Sequence, residues 1–477
     1  MTAGMDADEF RRIGHQLIDF IADYREDIES RPVKSRARPG EIRAAFPASP
    51  PERGGEIGRV VELLEQKVMP GITHWNHPRF FAYFPSNTSY ASILGDIASS
   101  GIGAQGMSWE TSPAATEVEE VMMEWLRTMV GLSPAWTGVI HDTASTATLC
   151  ALLCAREKTT SLGQERGGLA AEGAPLVVYA SDQGHSSIAK AALLAGFGRE
   201  NLRLLPTDGD HALWVGALRE AVKRDVEAGK RPCALVAATG TTGTTAFDPI
   251  AAMAEVAEEY GMWFHVDAAM AGTAMVLPEM RHLWEGVERA DSLVFNPHKW
   301  MGVGFDFSAY YCRDPQHLIR VMGTNPTYLR TAHDGQVTNY RDWHIPLGRR
   351  FRALKLWFYL LDVGVEGIRE RLRRDLANAR WLGEQVSRAP GFELLAPVAL
   401  QTVCLRHVPE GVTDEAKIAE HNLGVARRLN DGGFAYVTPS VLKGRQMIRV
   451  SIGAERTERA HVEALWEALR ELSRSGE

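Results

Sequence analysis

Short apolar runs alternate with helical segments through the middle of this chain. The apolar runs lie at 176–180, 202–205, 234–238, 262–264 and 292–295, and helical patterns lie between them after 186, at about 211–228 and at 249–260. Strand, helix and strand at this spacing predict a mainly parallel sheet covered on both faces. Because 477 residues exceed one small core, we expect this α/β domain to be accompanied by one or two smaller ones.

Two of the apolar runs end in a charged residue. The run at 262–264 leads to Asp267, and the run at 292–295 leads to Lys299. Open parallel sheets place ligand sites at the carboxyl ends of their strands, and a buried charge needs a chemical reason. Pyridoxal 5'-phosphate (PLP) supplies one, since a lysine forms a Schiff base with its aldehyde and a carboxylate pairs with its ring nitrogen. Two unrelated surface residues, or a structural ion pair, are the alternatives.

Four motifs occur together in this chain. They are FFAYFP at 80–85, SDQGHSS at 181–187, HVDAA at 265–269 and NPHKW at 296–300. With them the chain resembles the group II PLP decarboxylases, specifically the aromatic-L-amino-acid decarboxylases, from its first helix to its last strands. The resemblance implies a fold-type I PLP-dependent transferase-like α/β fold with a mainly parallel seven-stranded sheet. It also implies an N-terminal helical arm at 1–85, a large PLP-binding domain at 86–375 and a small α+β domain at 376–477.

The resemblance further implies which residues hold the cofactor. Lys299 would bind it covalently, Asp267 would keep the ring nitrogen protonated, and the ring would lie between His185 and Ala269. The remaining cofactor contacts would come from Thr143, Ala144, Ser145, Thr241, Asn296 and His298. From the residues alone, the hydroxyls that follow the expected turn around Gly138 could also form a plain helix cap, which is the commoner case when nothing else supports a site. Thr146 departs from the larger polar residue that relatives carry there.

An aromatic cluster in loop-like sequence is the predicted substrate-binding region. By resemblance the substrate would contact Trp75, Tyr83, Phe84, Pro85, Gln105, Met107 and Gly348. Aromatic side chains are also ordinary core residues, which is the alternative for this cluster. Tyr328 lies in a long segment without clear periodicity, which is typical of a lid. It matches a tyrosine of the decarboxylase lid, and the resemblance implies that it would return a proton to the α carbon.

These residues predict decarboxylation of an aromatic L-amino acid to the arylalkylamine and CO2. The candidate substrates are tryptophan, 5-hydroxytryptophan, tyrosine, dopa and phenylalanine. One alternative is an aldehyde synthase on the same scaffold, which Tyr328 and His185 disfavour. A decarboxylase of acidic amino acids is disfavoured by the aromatic cluster. A binding protein without chemistry is disfavoured because Lys299 and Asp267 are both present.

The N-terminal segment predicts an arm. Apolar residues recur at helical spacing over 7–29, and a proline-rich stretch at 31–53 follows as an extended linker that would carry this helix away from its own chain. The resemblance implies that the arm wraps a second subunit, giving a homodimer with the active site at the interface. Packing on its own core is the alternative.

Composition and charge bear on the partners of the chain, on the state of its cysteines and on its location. A net charge of -8 gives no general attraction to nucleic acid or anionic membrane, and the basic run at 369–374 is interpreted as a solvated helix face. The five scattered cysteines are typical of reduced core residues, with no metal site expected. No secretory signal or membrane span is visible, so we expect a cytoplasmic protein.

Overall fold

The computed structural model describes residues 4–324, 333 and 335–474. Their contacts divide the chain into two compact units. The larger unit comprises Ser86–Gly383 and Leu394–Cys404, and the smaller unit comprises Met1–Pro85, Glu384–Glu393 and Leu405–Glu477. The sequence-based division at 1–85, 86–375 and 376–477 stays a prediction beside this two-unit description.

The regular elements follow one another in chain order. The α-helices are α1 (Ala7–Glu26), α2 (Glu41–Ala44), α3 (Val60–Leu63), α4 (Tyr90–Ile102), α5 (Pro113–Val130), α6 (Ala144–Thr159), α7 (Ser186–Leu194), α8 (Val215–Glu227), α9 (Ile250–Glu259), α10 (Pro315–Met322), α11 (Ala353–Arg388), α12 (Glu415–Asp431) and α13 (Arg459–Arg474). The strands are β1 (Thr137–His141), β2 (Leu176–Ser181), β3 (Leu202–Leu205), β4 (Arg231–Ala238), β5 (Trp263–Asp267), β6 (Ser292–Phe295), β7 (Ser308–Cys312), β8 (Phe392–Leu394), β9 (Thr402–His407), β10 (Thr438–Leu442) and β11 (Arg445–Ser451).

The larger unit is built on a seven-stranded sheet in the order β1-β7-β6-β5-β4-β2-β3. Strands β2 to β6 run parallel to one another, and β7 is antiparallel to both of its neighbours, β1 and β6. Strands β2, β5 and β6 are buried along their whole length, as expected for a sheet covered on both faces. The predicted mainly parallel α/β fold is therefore confirmed. The carboxyl ends of six strands, all but β7, therefore lie at the same edge of the sheet.

Two local expectations are wrong. Residues around Gly138 form strand β1 and not a turn; a Cβ at 138 would lie 2.5 Å from Met123 Cε and 2.6 Å from Tyr311 Cε1, so glycine is required for close packing. The helix expected from about 211 begins at Val215, because the residues before it form a turn in which the Leu213 N–H donates to Asp248 Oδ1 (2.7 Å).

A separate four-stranded sheet, in the order β10-β11-β9-β8, accompanies α12 and α13. In the smaller unit the N-terminal segment is anchored to its own chain. Tyr24 Oη lies 2.8 Å from His74 Nδ1, and the main chain of Val33 is hydrogen bonded to Gly433 (2.9 Å) and His74 (2.9 Å). The expectation of a linker that leads away from its own chain is thus wrong at its beginning. The outer part of α1 still exposes Phe10 and Ile18.

All five cysteines are buried and free of disulfide bonds. Among the described residues, no helix has the length and apolarity that crossing a membrane requires. Within the same residues, no cluster of three or more histidine, cysteine, aspartate or glutamate side chains has a geometry suited to a metal ion.

Candidate functional site

The chemically important residues of the larger unit follow strands that end at the same sheet edge. Asp267 is the last residue of β5, and Lys299 lies in the turn that follows β6. His185 follows β2 and begins α7, while Thr143 follows β1 and begins α6. Parallel strands present their carboxyl ends together, so the topology brings these side chains to one edge.

Lys299 lies in a single π-helical turn, Pro297–Met301. Its N–H donates to Asn296 O (2.9 Å), and its carbonyl accepts a hydrogen bond from Asn87 Nδ2 (3.1 Å). Its neighbours His298 and Trp300 are buried, whereas Lys299 itself is half-buried. The main chain of Lys299 is therefore held on both sides.

Asp267 is buried and held in one orientation. Its Oδ1 accepts a hydrogen bond from the Ala269 N–H (3.0 Å), and its carbonyl accepts one from the Thr239 N–H (2.9 Å). A carboxylate fixed by backbone groups at the end of a central strand can keep a basic group protonated without moving.

His185 lies within electrostatic range of both charged residues. Burial lowers the pKa of His185, the Asp267 carboxylate opposes this, and the Lys299 ammonium lowers the pKa further. The Ser187 N–H donates to His185 Nδ1 (3.1 Å), which places the proton of the neutral ring on Nε2. The imidazole is thus uncharged near neutral pH and available to stack on a flat ring.

His298, next to Lys299, is also neutral. Burial is the main cause that lowers the pKa of His298 to about 3, and the Lys299 ammonium contributes. The Phe307 N–H donates to His298 Nδ1 (3.0 Å). Nε2 therefore carries the proton and is a hydrogen-bond donor.

The start of α6 has the form of an anion site. Thr143 occupies the cap position in an extended backbone conformation, but its side chain makes no capping bond to the first-turn amides. Its Oγ1 instead lies 3.5 Å from Thr146 Oγ1. The hydrogen bond of the plain helix cap is thus not made, and the amides that open α6 beside Ala144 and Ser145 suit a phosphate.

Thr241 is buried within the turn that follows β4. Its Oγ1 accepts a hydrogen bond from the Ala246 N–H (3.1 Å) and lies 3.1 Å from Thr244 Oγ1. These bonds close the turn, so the contacts observed for Thr241 are structural. Its contact with a cofactor stays a prediction.

In the smaller unit, the aromatic cluster presents two rings to solvent. Trp75 and Tyr83 are 37% and 50% exposed and stack with their ring centroids 5.5 Å apart. Tyr83 adopts a left-handed backbone (φ 51°), which a non-glycine residue keeps only when its surroundings enforce it. The cluster is therefore not simply core.

Residues far along the chain hold Tyr83 in place. Its N–H donates to Thr438 Oγ1 (2.8 Å), its carbonyl accepts from the Arg449 guanidinium, and its hydroxyl lies 3.3 Å from Tyr436 Oη. The Arg449 guanidinium also lies 4.4 Å from the centre of the buried Phe84 ring, which precedes Pro85. None of these supporting residues was singled out from the sequence.

Gln105 and Gly348 meet in the larger unit. The Arg349 N–H donates to Gln105 Oε1 (2.6 Å), and a Cβ added at Gly348 would lie 3.3 Å from Gln105 Nε2. Gly348 also lines a cavity of about 160 Å³ together with Asp142 and Thr146 at the start of α6. The Met107 carbonyl accepts a hydrogen bond from the Arg341 N–H (2.9 Å).

Tyr328, the proposed proton donor, lies outside the described residues.

The donor set of the larger unit fits PLP. An amine, a fixed carboxylate and a neutral imidazole match its aldehyde, ring nitrogen and ring face, and the uncapped start of α6 matches its phosphate. This fit depends on the chemistry of the side chains present.

Comparison with known proteins gives concordant findings. The conserved domain of the pyridoxal-dependent decarboxylases matches residues 39–408. The phenylacetaldehyde synthase of Arabidopsis thaliana is 41% identical over 479 residues, covering 98% of this chain and 96% of that protein. The aromatic-L-amino-acid decarboxylase of Bos taurus is 40% identical over 482 residues, covering 98% and 97% respectively. The crystal structure of Oryza sativa TDC with PLP and tryptamine matches at 37% identity with a TM-score of 0.96, covering 100% of this chain and 99% of that chain.

Proposed function

Because this chain belongs to the pyridoxal-dependent decarboxylases, within their aromatic-L-amino-acid decarboxylase group, we propose that it converts an aromatic L-amino acid to the arylalkylamine and CO2. PLP is the cofactor of this family. The observation that carries the proposal is the convergence of Lys299, Asp267 and His185 at one sheet edge, where both charges act on the imidazole. The experiment is a screen of purified, PLP-loaded protein against tryptophan, 5-hydroxytryptophan, tyrosine, dopa, phenylalanine and glutamate. Amine formed from an aromatic substrate is expected, and turnover of glutamate alone would contradict the proposal.

Bound PLP supplies an electron-withdrawing ring that stabilises negative charge at the substrate's α carbon. Lys299 Nζ would hold the cofactor covalently. Asp267 would keep a proton on the ring nitrogen, and His185 and Ala269 would hold the two faces of the ring. The amides of Thr143, Ala144 and Ser145 would bind the phosphate, and further contacts would come from Thr241, Asn296 and His298, since His298 Nε2 is a donor.

The substrate ring packs against flat apolar side chains. The stacked and exposed Trp75 and Tyr83 support this role, as does their neighbour Phe84 with Pro85 beside it. Gln105, Met107 and Gly348 are also proposed to contact the substrate. Tyr328 donates the proton that the α carbon takes after CO2 has left.

An aldehyde synthase is the second candidate, since a phenylacetaldehyde synthase is 41% identical to this chain. Such an enzyme consumes O2 and water and yields the aldehyde with CO2, ammonia and hydrogen peroxide. His185, held by its hydrogen bond to Ser187, and Tyr328 favour protonation and hence the amine.

Replacement of Tyr328 by Phe tests that assignment. The variant keeps the bulk of the ring and loses the acidic proton, so O2 competes for the electron-rich α carbon. We expect CO2 release to continue while amine falls and aldehyde, ammonia and peroxide rise. Measuring amine, aldehyde and peroxide together, in air and under nitrogen, separates this from a packing role. In the packing case the variant is slower but amine stays its sole product.

We propose a homodimer with the active site at the subunit interface. Tyr90, Leu94 and Ile97 lie on one face of α4 and are 46–50% exposed. Leu361 on α11 is 69% exposed, and Ile345 and Leu347, close to Gly348, are also exposed. Monomeric proteins rarely leave so much apolar surface uncovered. The exposed Phe10 and Ile18 of α1 offer a further surface for the partner.

Two charges on the α4 face test the dimer. We expect the double variant Leu94→Glu and Ile97→Glu to be monomeric and to lose most activity, because burying two carboxylates at an interface is costly. Sedimentation velocity measures the mass. The matched control is Val441→Glu, which places a charge on an apolar site of β10 that is still more exposed, at 60%. A double variant that stays dimeric and active would refute this interface.

We also propose the cytoplasm as the location. Five buried cysteines, none of them in a disulfide bond, support a reducing compartment. Aromatic amino acids and a second copy of the chain are the proposed partners, and the net charge of -8 does not favour nucleic acid or anionic membrane.

A further inference from the structure

The turn that carries Lys299 has carbonyl groups that its own helix cannot satisfy. Pro297–Met301 is one π-helical turn, and Gly302 ends it with φ 106°. The last carbonyls of a helical segment lack donors from the same segment. Their hydrogen-bond partners therefore come from elsewhere in the unit and determine where the turn lies.

One side of the turn is held by residues at the start of α4. Asn87 Nδ2 donates to Lys299 O (3.1 Å), and the Ser89 N–H donates to Gly302 O (3.2 Å). The opposite side is held by α11. Arg371 Nη2 donates to both Trp300 O (2.6 Å) and Met301 O (2.6 Å). One guanidinium thus binds two consecutive carbonyls directly after Lys299.

A second residue of α11 holds the side chain that follows Lys299. Asp375 lies one helical turn after Arg371 and is buried. Its Oδ2 accepts the indole N–H of the fully buried Trp300 (2.9 Å). Burial is the main cause that raises the pKa of Asp375 to about 6, although Arg371 and Arg374 oppose the shift.

Side chains of α11 approach the turn too closely for a residue larger than glycine at position 302. A Cβ on Gly302 would lie 2.6 Å from Tyr359 Oη and 3.4 Å from Arg371 Nη2. This contact leaves the turn little freedom to shift towards α11. The sequence-based interpretation of 369–374 as a solvated helix face is accordingly wrong for Arg371, which is half-buried and bound to main-chain oxygen.

We propose that Arg371 and Asp375 are positioning residues that fix the turn and thereby the reach of Lys299 Nζ. The inference rests on the proposed covalent role of Lys299. A charge-assisted bond to each of two carbonyls, with a buried bond to the next side chain, restrains this segment more than ordinary packing does. Neither residue needs to touch cofactor or substrate to act in this way.

Arg371→Met is the principal test. Loss of the guanidinium leaves two carbonyls without these bonds, so the amine samples several positions. Since misplacement of a reacting group by about 1 Å costs on the order of a hundredfold, we expect kcat to fall at least about tenfold with KM within about threefold. We also expect slower borohydride trapping at Lys299, measured by peptide mapping, and an altered pH titration of the visible band of bound PLP. The matched control is Arg373→Met on the same helix, whose exposed ion pairs with Glu279 and Glu366 do not reach the turn.

A pair of variants separates positioning from general stability at Asp375. Asp375→Asn keeps an oxygen that accepts the Trp300 indole N–H, whereas Asp375→Leu removes the acceptor. We expect near wild-type trapping and turnover for the asparagine variant and slower trapping for the leucine variant. Trp300→Phe removes the indole donor of this bond and should resemble the leucine variant. It replaces Arg371→Met as the test if that variant does not fold.

The outcomes are distinguishable. Slow trapping in Arg371→Met or Trp300→Phe, with wild-type trapping in Arg373→Met, supports the proposal. If Arg371→Met and Trp300→Phe fold and show the same trapping rate and turnover as Arg373→Met, the proposal is overturned. Wild-type protein that is not labelled at Lys299 would overturn the proposed covalent role of Lys299, and the positioning role with it, whereas failure to decarboxylate any aromatic amino acid would overturn the proposed function.

Discussion

Lys299→Ala is expected to fold normally and to lose at least about a thousandfold in turnover, which corresponds to ~4 kcal/mol in the barrier. The fold should be kept because the observed bonds of Lys299 to Asn296 and Asn87 use its main chain. Alanine keeps those bonds and removes only the amine that would hold the cofactor covalently. The measurements are turnover, melting temperature and the visible absorption band of bound PLP, which should disappear.

Lys190→Ala is the matched control, because Lys190 is an exposed lysine on α7. Its turnover and absorption band should equal those of the wild type. Retention of the band and of turnover in Lys299→Ala would show that another lysine holds the cofactor.

Asp267→Asn is expected to bind PLP but to lose about a hundredfold or more in turnover, or ~3 kcal/mol. The amide oxygen of asparagine can still accept the Ala269 N–H, so the local geometry is kept. It carries no negative charge, however, and no longer stabilises a proton on the ring nitrogen. Single-turnover decarboxylation, together with a titration of PLP binding, separates loss of chemistry from loss of cofactor.

Asp182→Asn provides the control for this change, since Asp182 is an exposed carboxylate in the segment between β2 and His185. We expect it to be fully active. Turnover of Asp267→Asn at the control level would make Asp267 a structural residue.

The strands that carry the site could be predicted because their signal is local. Each is a short apolar run with a charged or polar residue just after it, as in β5 with Asp267 and β6 before Lys299. Strand β1 was missed because its glycine suggests a turn, and only the side chains of Met123 and Tyr311 show why glycine is needed. The antiparallel pairing of β7 joins distant segments and leaves no local pattern.

The supporting residues of the site could not be predicted for the same reason. Asn87 reaches the Lys299 carbonyl across 212 positions of sequence, and Tyr436 reaches the Tyr83 hydroxyl across 353. Arg371 stands in a run of charges that looks solvated, and its two carbonyl partners become visible only in the fold. Sequence patterns thus identified the candidate reacting groups, whereas the contacts that orient them required the structure.

The covalent role of Lys299 is tested most directly by borohydride reduction of the PLP-loaded wild-type protein, followed by peptide mapping. Reduction makes the bond between the cofactor and its lysine permanent. We predict one equivalent of reduced cofactor per chain, on the peptide that contains Lys299, and none on protein from which PLP has been removed before the reduction. Label on any other lysine, or no label on protein that decarboxylates an aromatic amino acid, would contradict the account.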